Sequence, residues 1–475
     1  MARKHLIMKN MSFLVGAQIF NIVGRLLFSI LLARYLGVAD LGKIFFALSF
    51  VELFNIITDF GLGVIVTREA AAAREQGPKY LSNTIVIKLI LSLISALLII
   101  LAVNLIPRTN HIRPLVYILL PAIFFNSGYA AFSYIFRAYE DMKQESMISL
   151  FTNFLYITFG LAAIYFKLNV FSIALITTVC AFCGFSAAAL IYSTKYQSIE
   201  LKFEWGFALK LIKMAFPVGI GAIFFMACSK IDVMILSYFK GVKAVGLYAA
   251  AYKLMSIFLF APYVLATSMF PAMSQWHKEE KLESLRSLLE KSLKMMMIII
   301  IPFAVFISLK SSVIISIIYG NQFLESVPVL AILPWYLVAV FPAFIFTHIL
   351  CIADTKKYAF FNLITLIVSI ILNLSLIPVL SITGMAISAV GSVLVLTFLC
   401  YREVYTGLVH FAIAKSVLLS GLASLGIVGV VFVFGKLKLL PSAISSAVIY
   451  CIILYCIKGI DKQDFLFISS FIRRK

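Results

Sequence analysis

Charged residues are scarce in this chain and acidic ones scarcest: Asp, Glu, Lys and Arg make up 13% of 475 residues, and only 20 are Asp or Glu. With 63% of residues hydrophobic, there is too little polar surface to cover a water-soluble fold. Long polar loops are missing as well. The connections assigned to the outer side, Gly37–Gly42, Pro107–Arg113, Lys167–Asn169, Lys240–Val245, Pro378–Ile382 and Gly435–Lys438, leave no room for a soluble catalytic domain, so no enzyme activity is expected. The seven cysteines, Cys180, Cys183, Cys228, Cys351, Cys400, Cys451 and Cys456, all fall in apolar runs. Cys180 and Cys183 form a CxxC with no partner pair, which argues against zinc or redox chemistry. They read as small packing residues, and neither metal nor cofactor is expected. Lys and Arg outnumber Asp and Glu by 40 to 20. No nucleic-acid-binding module accompanies that excess, and basic loops on one membrane face account for it, so no nucleic-acid partner is expected.

What the chain has instead is apolar runs of membrane-crossing length, roughly 20 residues each. Fourteen are read, at 11–36, 43–63, 82–106, 114–136, 146–166, 170–192, 214–239, 246–270, 293–309, 328–353, 358–377, 382–401, 416–435 and 439–457. The basic start, Met1 to Asn10, leads into a run too long for a signal-peptide core, so it reads as a retained first span. With the N-terminus inside, cytoplasmic segments carry 26 Lys and Arg and the opposite segments 10, which orients the chain with both termini in the cytoplasm. The longest polar insert, Gln275 to Lys294, places Leu282, Leu285, Leu289 and Leu293 at helical spacing and is expected to lie along the membrane surface. Ser193 to Lys213 is a second cytoplasmic linker, with Trp205 and Phe207 suited to the headgroup region.

The two halves look related. A shift of 204 residues aligns Gly37, Val38, Gly42 and Ala47 with Gly241, Val242, Gly246 and Ala251, and Phe54 with Phe258. Six spans per repeat is an even number, so the halves keep the same orientation. The expected fold is an all-α polytopic membrane protein of about 14 transmembrane helices. Two six-helix lobes, related by a pseudo-two-fold axis along the membrane normal, face each other across a cavity, with a C-terminal helix pair added. The expected divisions are 1–192 for the first lobe, 193–213 for the linker, 214–405 for the second lobe and 406–475 for the extra pair and tail.

Ionisable groups inside spans are costly and usually kept for function. Gln18, Asn21, Arg25 and Ser29 follow spacings of three, four and four, which puts them on one helix face. Such a stripe either bonds a neighbouring helix or lines a water-filled cavity; Arg25 lies too deep to snorkel and favours the cavity. Glu52, Asn55 and Asp59 share a face of the second span and are read as partners for Arg25, as a coupling-cation site or as proton carriers. Lys230 and Asp232, two positions apart, point to nearly opposite sides of the seventh span. Lys253 lies inside the eighth with Ser256 on its face and Pro262 a kink downstream. Lys88, six residues into the third span, either snorkels or acts, and His348 reads as a hydrogen-bonded core residue. A scaffold that only anchors needs none of these charges, whereas a protein that moves a charged solute does.

The stretch Lys9-Asn10, Gly16, Arg25, Ala33-Arg34-Tyr35-Leu36-Gly37 and Gly42 resembles the opening of bacterial polysaccharide-biosynthesis membrane proteins. These are the O-antigen-type flippases of the multidrug/oligosaccharidyl-lipid/polysaccharide exporter superfamily. Pro217, Ile231-Asp232, Gly246-Leu247-Tyr248, Ala251-Tyr252-Lys253-Leu254 and Phe270-Pro271 repeat the resemblance in the second half. The resemblance implies alternating-access inversion of an undecaprenyl-diphosphate-linked oligosaccharide across the bacterial inner membrane, for O-antigen or capsule. Its partners would be that substrate, membrane lipid and other assembly proteins such as a polymerase or a chain-length regulator. It also implies a cationic central cavity, with Arg25, Lys230 and Lys253 the candidates, Gln18, Asn21 and Lys88 beside them, and Asp59, Glu52 and Asp232 as coupling groups. Family members often place a basic residue directly after the Asp232 position; here it is Val233. The alternative from the same superfamily is an ion-coupled multidrug or metabolite antiporter, which would favour an acidic cavity.

Overall fold

A computed structural model describes residues 2–105, 112–198, 202–411, 414–433, 439–457 and 459; side chains of 2–19, most of 217–229, and 267, 271, 355 and 414–416 lie outside that description. The described chain is helical, in the order α1 (Ala2–Asp59), α2 (Leu62–Ala72), α3 (Gly77–Leu105), α4 (Arg113–Ala138), α5 (Met142–Tyr165), α6 (Val170–Lys195), α7 (Trp205–Ser256), α8 (Phe260–Lys278), α9 (Leu282–Ile318), α10 (Val327–Ala353), α11 (Thr355–Gly407), α12 (Ala414–Val433) and α13 (Leu439–Cys456).

Three of these helices, α1, α7 and α11, run to more than 50 residues, far longer than one crossing of a bilayer requires. The 58 residues of α1 would extend about 87 Å, against a hydrocarbon core of about 30 Å. Each is broken near its middle by a non-helical residue: α1 at Gly37, α7 at Gly241 and α11 at Ser381. The spans read from the sequence therefore fall in order on helical arms, and ten stretches among the described residues are long and apolar enough to cross a membrane. Gly37 has φ 74° and ψ 179°, and Gly241 has φ 76° and ψ 177°, a region essentially reserved for glycine. Two positions 204 residues apart thus make the same turn, which gives the sequence repeat a backbone basis.

The packing is inverted relative to a soluble protein. Along α3, Leu89, Leu93, Leu97 and Leu101 are exposed, while Lys88, Ser92, Ser95 and Ile99 are buried. Large apolar side chains facing outward and small or polar ones facing inward is the arrangement a lipid solvent selects. The protein is a multi-pass membrane protein.

Two compact units divide the chain, Met1–Ala249 and Ala250–Lys475, so the division falls within α7. In the first, α4 packs on α6 and α3, and α5 packs on the first arm of α1. The linker is pinned to it: Ser82 donates to the Lys202 carbonyl at 2.7 Å, Lys79 pairs with Glu204 at 2.6 Å, and Phe207 packs edge-on against Tyr80. Phe207 is thus docked on protein and Trp205 is exposed. The second arm of α7 crosses that of α1 at close range, since a Cβ on Gly246 would lie 2.0 Å from the Val38 carbonyl oxygen.

In the second unit, α9 packs on α10 and α12. The leucine ladder expected on the membrane surface is instead the opening of α9, continuous with the ninth span, with Leu285, Leu289 and Leu293 buried in protein. Helical spacing of leucines between charges describes either surface, and here the buried one applies. Tyr450 of α13 donates to the Ile298 carbonyl at 2.8 Å and meets Ser420 of α12 at 2.9 Å, which clamps the terminal pair to α9. A 3₁₀ turn at Ile257–Leu259 separates α7 from α8 just ahead of Pro262, whose ring removes a helical hydrogen bond. His348 bonds the Phe344 carbonyl at 2.7 Å, as a core histidine does.

Candidate functional site

Among the described residues, three polar clusters lie within the membrane-spanning arms of the first unit. The first joins α1 to α5. Asn21 donates to Ser149 at 2.9 Å, and Arg25 donates through Nε to the Asn153 Oδ1 at 2.8 Å. Both pairs are 128 residues apart, so the two helices run in the same direction with polar residues in matched four-residue steps. Asn21 and Asn153 are buried, and the Asn21 Oδ1 and Asn153 Nδ2 have no hydrogen-bond partner among the described residues. Arg25 itself is exposed. Engaging Nε alone leaves its two terminal nitrogens without a protein acceptor among the described residues. A guanidinium held at one edge presents the remaining fork for bidentate contact with phosphate or carboxylate oxygens. Ser29 turns back to the Leu26 carbonyl, and Gln18 lies outside the described side chains.

The second cluster is an ion pair between Glu52 on α1 and Lys230 on α7, at 2.5 Å. Glu52 is half open and Lys230 is 24% exposed. Asp232, two residues on, is buried.

The third cluster lies at the end of α1. Lys88, 1% exposed, sends its ammonium to the Thr58 carbonyl at 3.0 Å, the Tyr134 hydroxyl at 3.2 Å and the Asp59 Oδ1 at 3.5 Å. Tyr134 in turn donates to that same carboxylate oxygen. Asp59 keeps 44% exposure on its other side. Immediately after it, Phe60 (φ 41°) and Gly61 (φ 78°) are both left-handed and separate α1 from α2. Helix α7 comes close at this break: a Cβ on Gly219 would lie 2.7 Å from the Phe60 carbonyl oxygen.

The sequence-level candidates are therefore distributed rather than gathered. The carboxylates expected to neutralise Arg25 are each taken by another cation, Glu52 by Lys230 and Asp59 by Lys88, and Arg25 binds a neutral amide. Lys88 does not snorkel, since it is fully enclosed. Lys253 is exposed in the last turn of α7 and belongs to the second unit. Pro217, Pro271 and Cys228 lie outside the described side chains. Sequence reasoning missed Ser149, Asn153 and Tyr134. A signal existed for the first two: a polar pair four apart inside an apolar span, matching the spacing from Asn21 to Arg25. Among the described residues no three His, Cys, Asp or Glu side chains converge.

The family model described as polysaccharide biosynthesis protein matches residues 7–277, more than half of the chain, and the MatE model matches 217–375. Two curated proteins of Haloferax volcanii are similar. The probable low-salt glycan biosynthesis flippase Agl15 is 24% identical over 63% of this chain and 62% of its own length. The probable flippase AglR is 27% identical over 37% of this chain and 38% of its own. The chain thus spans less than two thirds of the curated relatives it matches. Among solved structures, the lipid II flippase MurJ in an inward closed conformation superposes with a TM-score of 0.75 at 19% identity, covering 97% of this chain and 99% of that one. An inward-facing multidrug resistance MATE family transporter of the MOP superfamily gives 0.66 at 17%, covering 83% and 96%. At those identities the likeness is one of fold, a two-lobed helical membrane architecture.

Proposed function

The chain belongs to the polysaccharide biosynthesis protein family, and from that premise we propose that it is a flippase for a lipid-linked glycan rather than an enzyme. The substrate proposed is an undecaprenyl-diphosphate-linked oligosaccharide, inverted across a bacterial inner membrane by alternating access for O-antigen or capsule assembly, with both termini cytoplasmic. The extra membrane lipid and assembly partners named above belong to the same proposal.

The observation that carries the reading is Arg25. It is an exposed guanidinium in the middle of an apolar helix, held at Nε by Asn153 and left open at its fork. A diphosphate with a polar glycan cannot enter hydrocarbon unaided, because stripping water from charge is prohibitive. A fixed cation at membrane depth removes part of that cost, and the isoprenoid tail can stay in lipid. Lys230 and Lys253 are proposed as further cations for the diphosphate. Glu52, Asp59 and Asp232 are proposed as the carboxylates through which an ion gradient acts. The antiporter reading draws on the half-open carboxylates of Glu52 and Asp59. Both already hold a lysine, so neither offers net negative charge to a cationic drug, which ranks that reading second.

Complementation of a flippase-null strain tests the assignment. Each lost charge-assisted hydrogen bond is worth about 1.5–3 kcal/mol, so Arg25→Ala should weaken binding more than tenfold and abolish glycan export at normal membrane abundance. Arg25→Lys should retain part of it. Full export by a stably expressed Arg25→Ala protein would overturn the reading.

A further inference from the structure

The environment of Lys88 has the composition of a cation site. A lysine ammonium has three N–H donors, and three oxygens of different kinds lie at hydrogen-bonding range or just beyond it. They are the Thr58 carbonyl at 3.0 Å, the Tyr134 hydroxyl at 3.2 Å and the Asp59 carboxylate at 3.5 Å. Carbonyl, hydroxyl and carboxylate oxygens are also the donors that hard metal cations take. The Tyr134 ring adds a cation–π contact, with Nζ 5.1 Å from its centroid. On one side the ammonium is sealed, with 2% of the side chain exposed. On the other, Asp59 is 44% exposed, and among the described residues no protein donor reaches its Oδ2. A buried charge without a partner is strongly unfavourable, so the oxygen set and the cation require each other.

We propose that Lys88 is a built-in cation: its ammonium fills an oxygen-lined site against Asp59 that, with the side chain removed, takes a free monovalent cation. At this position the wild-type protein therefore has no use for free Na⁺ or K⁺. The inference deepens the coupling role proposed for Asp59 and rests on that reading for its meaning in transport.

The 3.0–3.5 Å spacing around Nζ suits an N–H donor or a large alkali ion, which sets the probes. Purified full-length protein is unfolded thermally in ammonium, potassium, sodium or tetramethylammonium chloride at constant ionic strength. The wild type should unfold at the same temperature in all four. Lys88→Ala should unfold several degrees lower in tetramethylammonium, which has no N–H, and recover in ammonium or potassium. Asp59→Asn/Lys88→Ala should lose that recovery. If Lys88→Ala does not fold, Asp59→Asn is compared with Asp59→Asn/Lys88→Met, and the double variant should be the more stable because it removes the ammonium left without its carboxylate. Cation-dependent stability of the wild type that Asp59→Asn abolishes would overturn the proposal. So would a folded Lys88→Ala protein indifferent to all four cations, or a double variant no more stable than Asp59→Asn. None of these readings needs glycan transport, so failure of the flippase assignment would appear separately, as loss of export with the cation pattern intact.

Discussion

Replacing Gly246 with alanine adds one carbon where the second arms of α1 and α7 cross. That carbon would lie 2.0 Å from the Val38 carbonyl oxygen, and the reciprocal carbon on Gly42 would lie 1.9 Å from the Val242 carbonyl oxygen. Carbon–oxygen contacts normally close at about 3.3 Å, so the arms must part by about 1 Å in either variant. Backbone stands on the other side of the contact, so no side chain can swing away. Overpacking of this kind costs about 1–3 kcal/mol, which corresponds to about 2–12 °C in unfolding temperature for a body of 150–250 residues. A thermal scan of the purified protein measures it. Gly421→Ala is the control, since nothing lies within 4 Å of its added carbon, and alanine is favoured over glycine inside a helix by about 0.5–1 kcal/mol. Gly246→Ala and Gly42→Ala should lose stability while Gly421→Ala keeps or gains it. Equal stability of all three would refute the close crossing.

Two further outcomes follow from the charge clusters. Glu52→Gln should leave Lys230 positive and unpaired and tighten binding of undecaprenyl diphosphate, whereas Lys230→Met should weaken it; a titration by thermophoresis reads the opposite signs, and equal effects would detach the pair from the substrate. At the end of α4, burial works to raise the Asp141 carboxyl, but hydrogen bonds from Lys195 and from Tyr196, the latter at 2.5 Å, outweigh it and hold the group below its ordinary value of 3.8. A depressed carboxyl stabilises the fold above its unfolded value and stops doing so as pH falls through the folded one. Asp141→Asn should therefore unfold earlier than wild type at pH 7, and the gap should close as pH falls below about 4. A gap that persists into acid would contradict the pairing.

Much of the architecture was legible because lipid imposes a simple code. Apolar run length and the Gly-Val-x-x-x-Gly turn each carry a local signal, and the matching backbone at Gly37 and Gly241 follows from the last. The polar network was legible only in part. A stripe such as Asn21 to Arg25 reveals a helix face, and a charge inside a span announces that a partner must exist. Which partner it takes is decided by contacts between distant segments. Asp59 meets Lys88 and Tyr134 across 29 and 75 residues, and nothing in the sequence ranked those above Arg25. The leucines from Leu282 to Leu293 show the same limit, since protein and membrane surfaces select the same spacing.

The most direct measurement reconstitutes the purified protein in liposomes with undecaprenyl-diphosphate oligosaccharide and scores inversion by the glycan's accessibility to an externally added glycosidase. Wild-type liposomes should protect or expose the glycan in proportion to flipping, above protein-free liposomes, and Arg25→Ala should match the protein-free rate at equal insertion. Flipping by Arg25→Ala at the wild-type rate, or none by the wild type, would contradict the assignment.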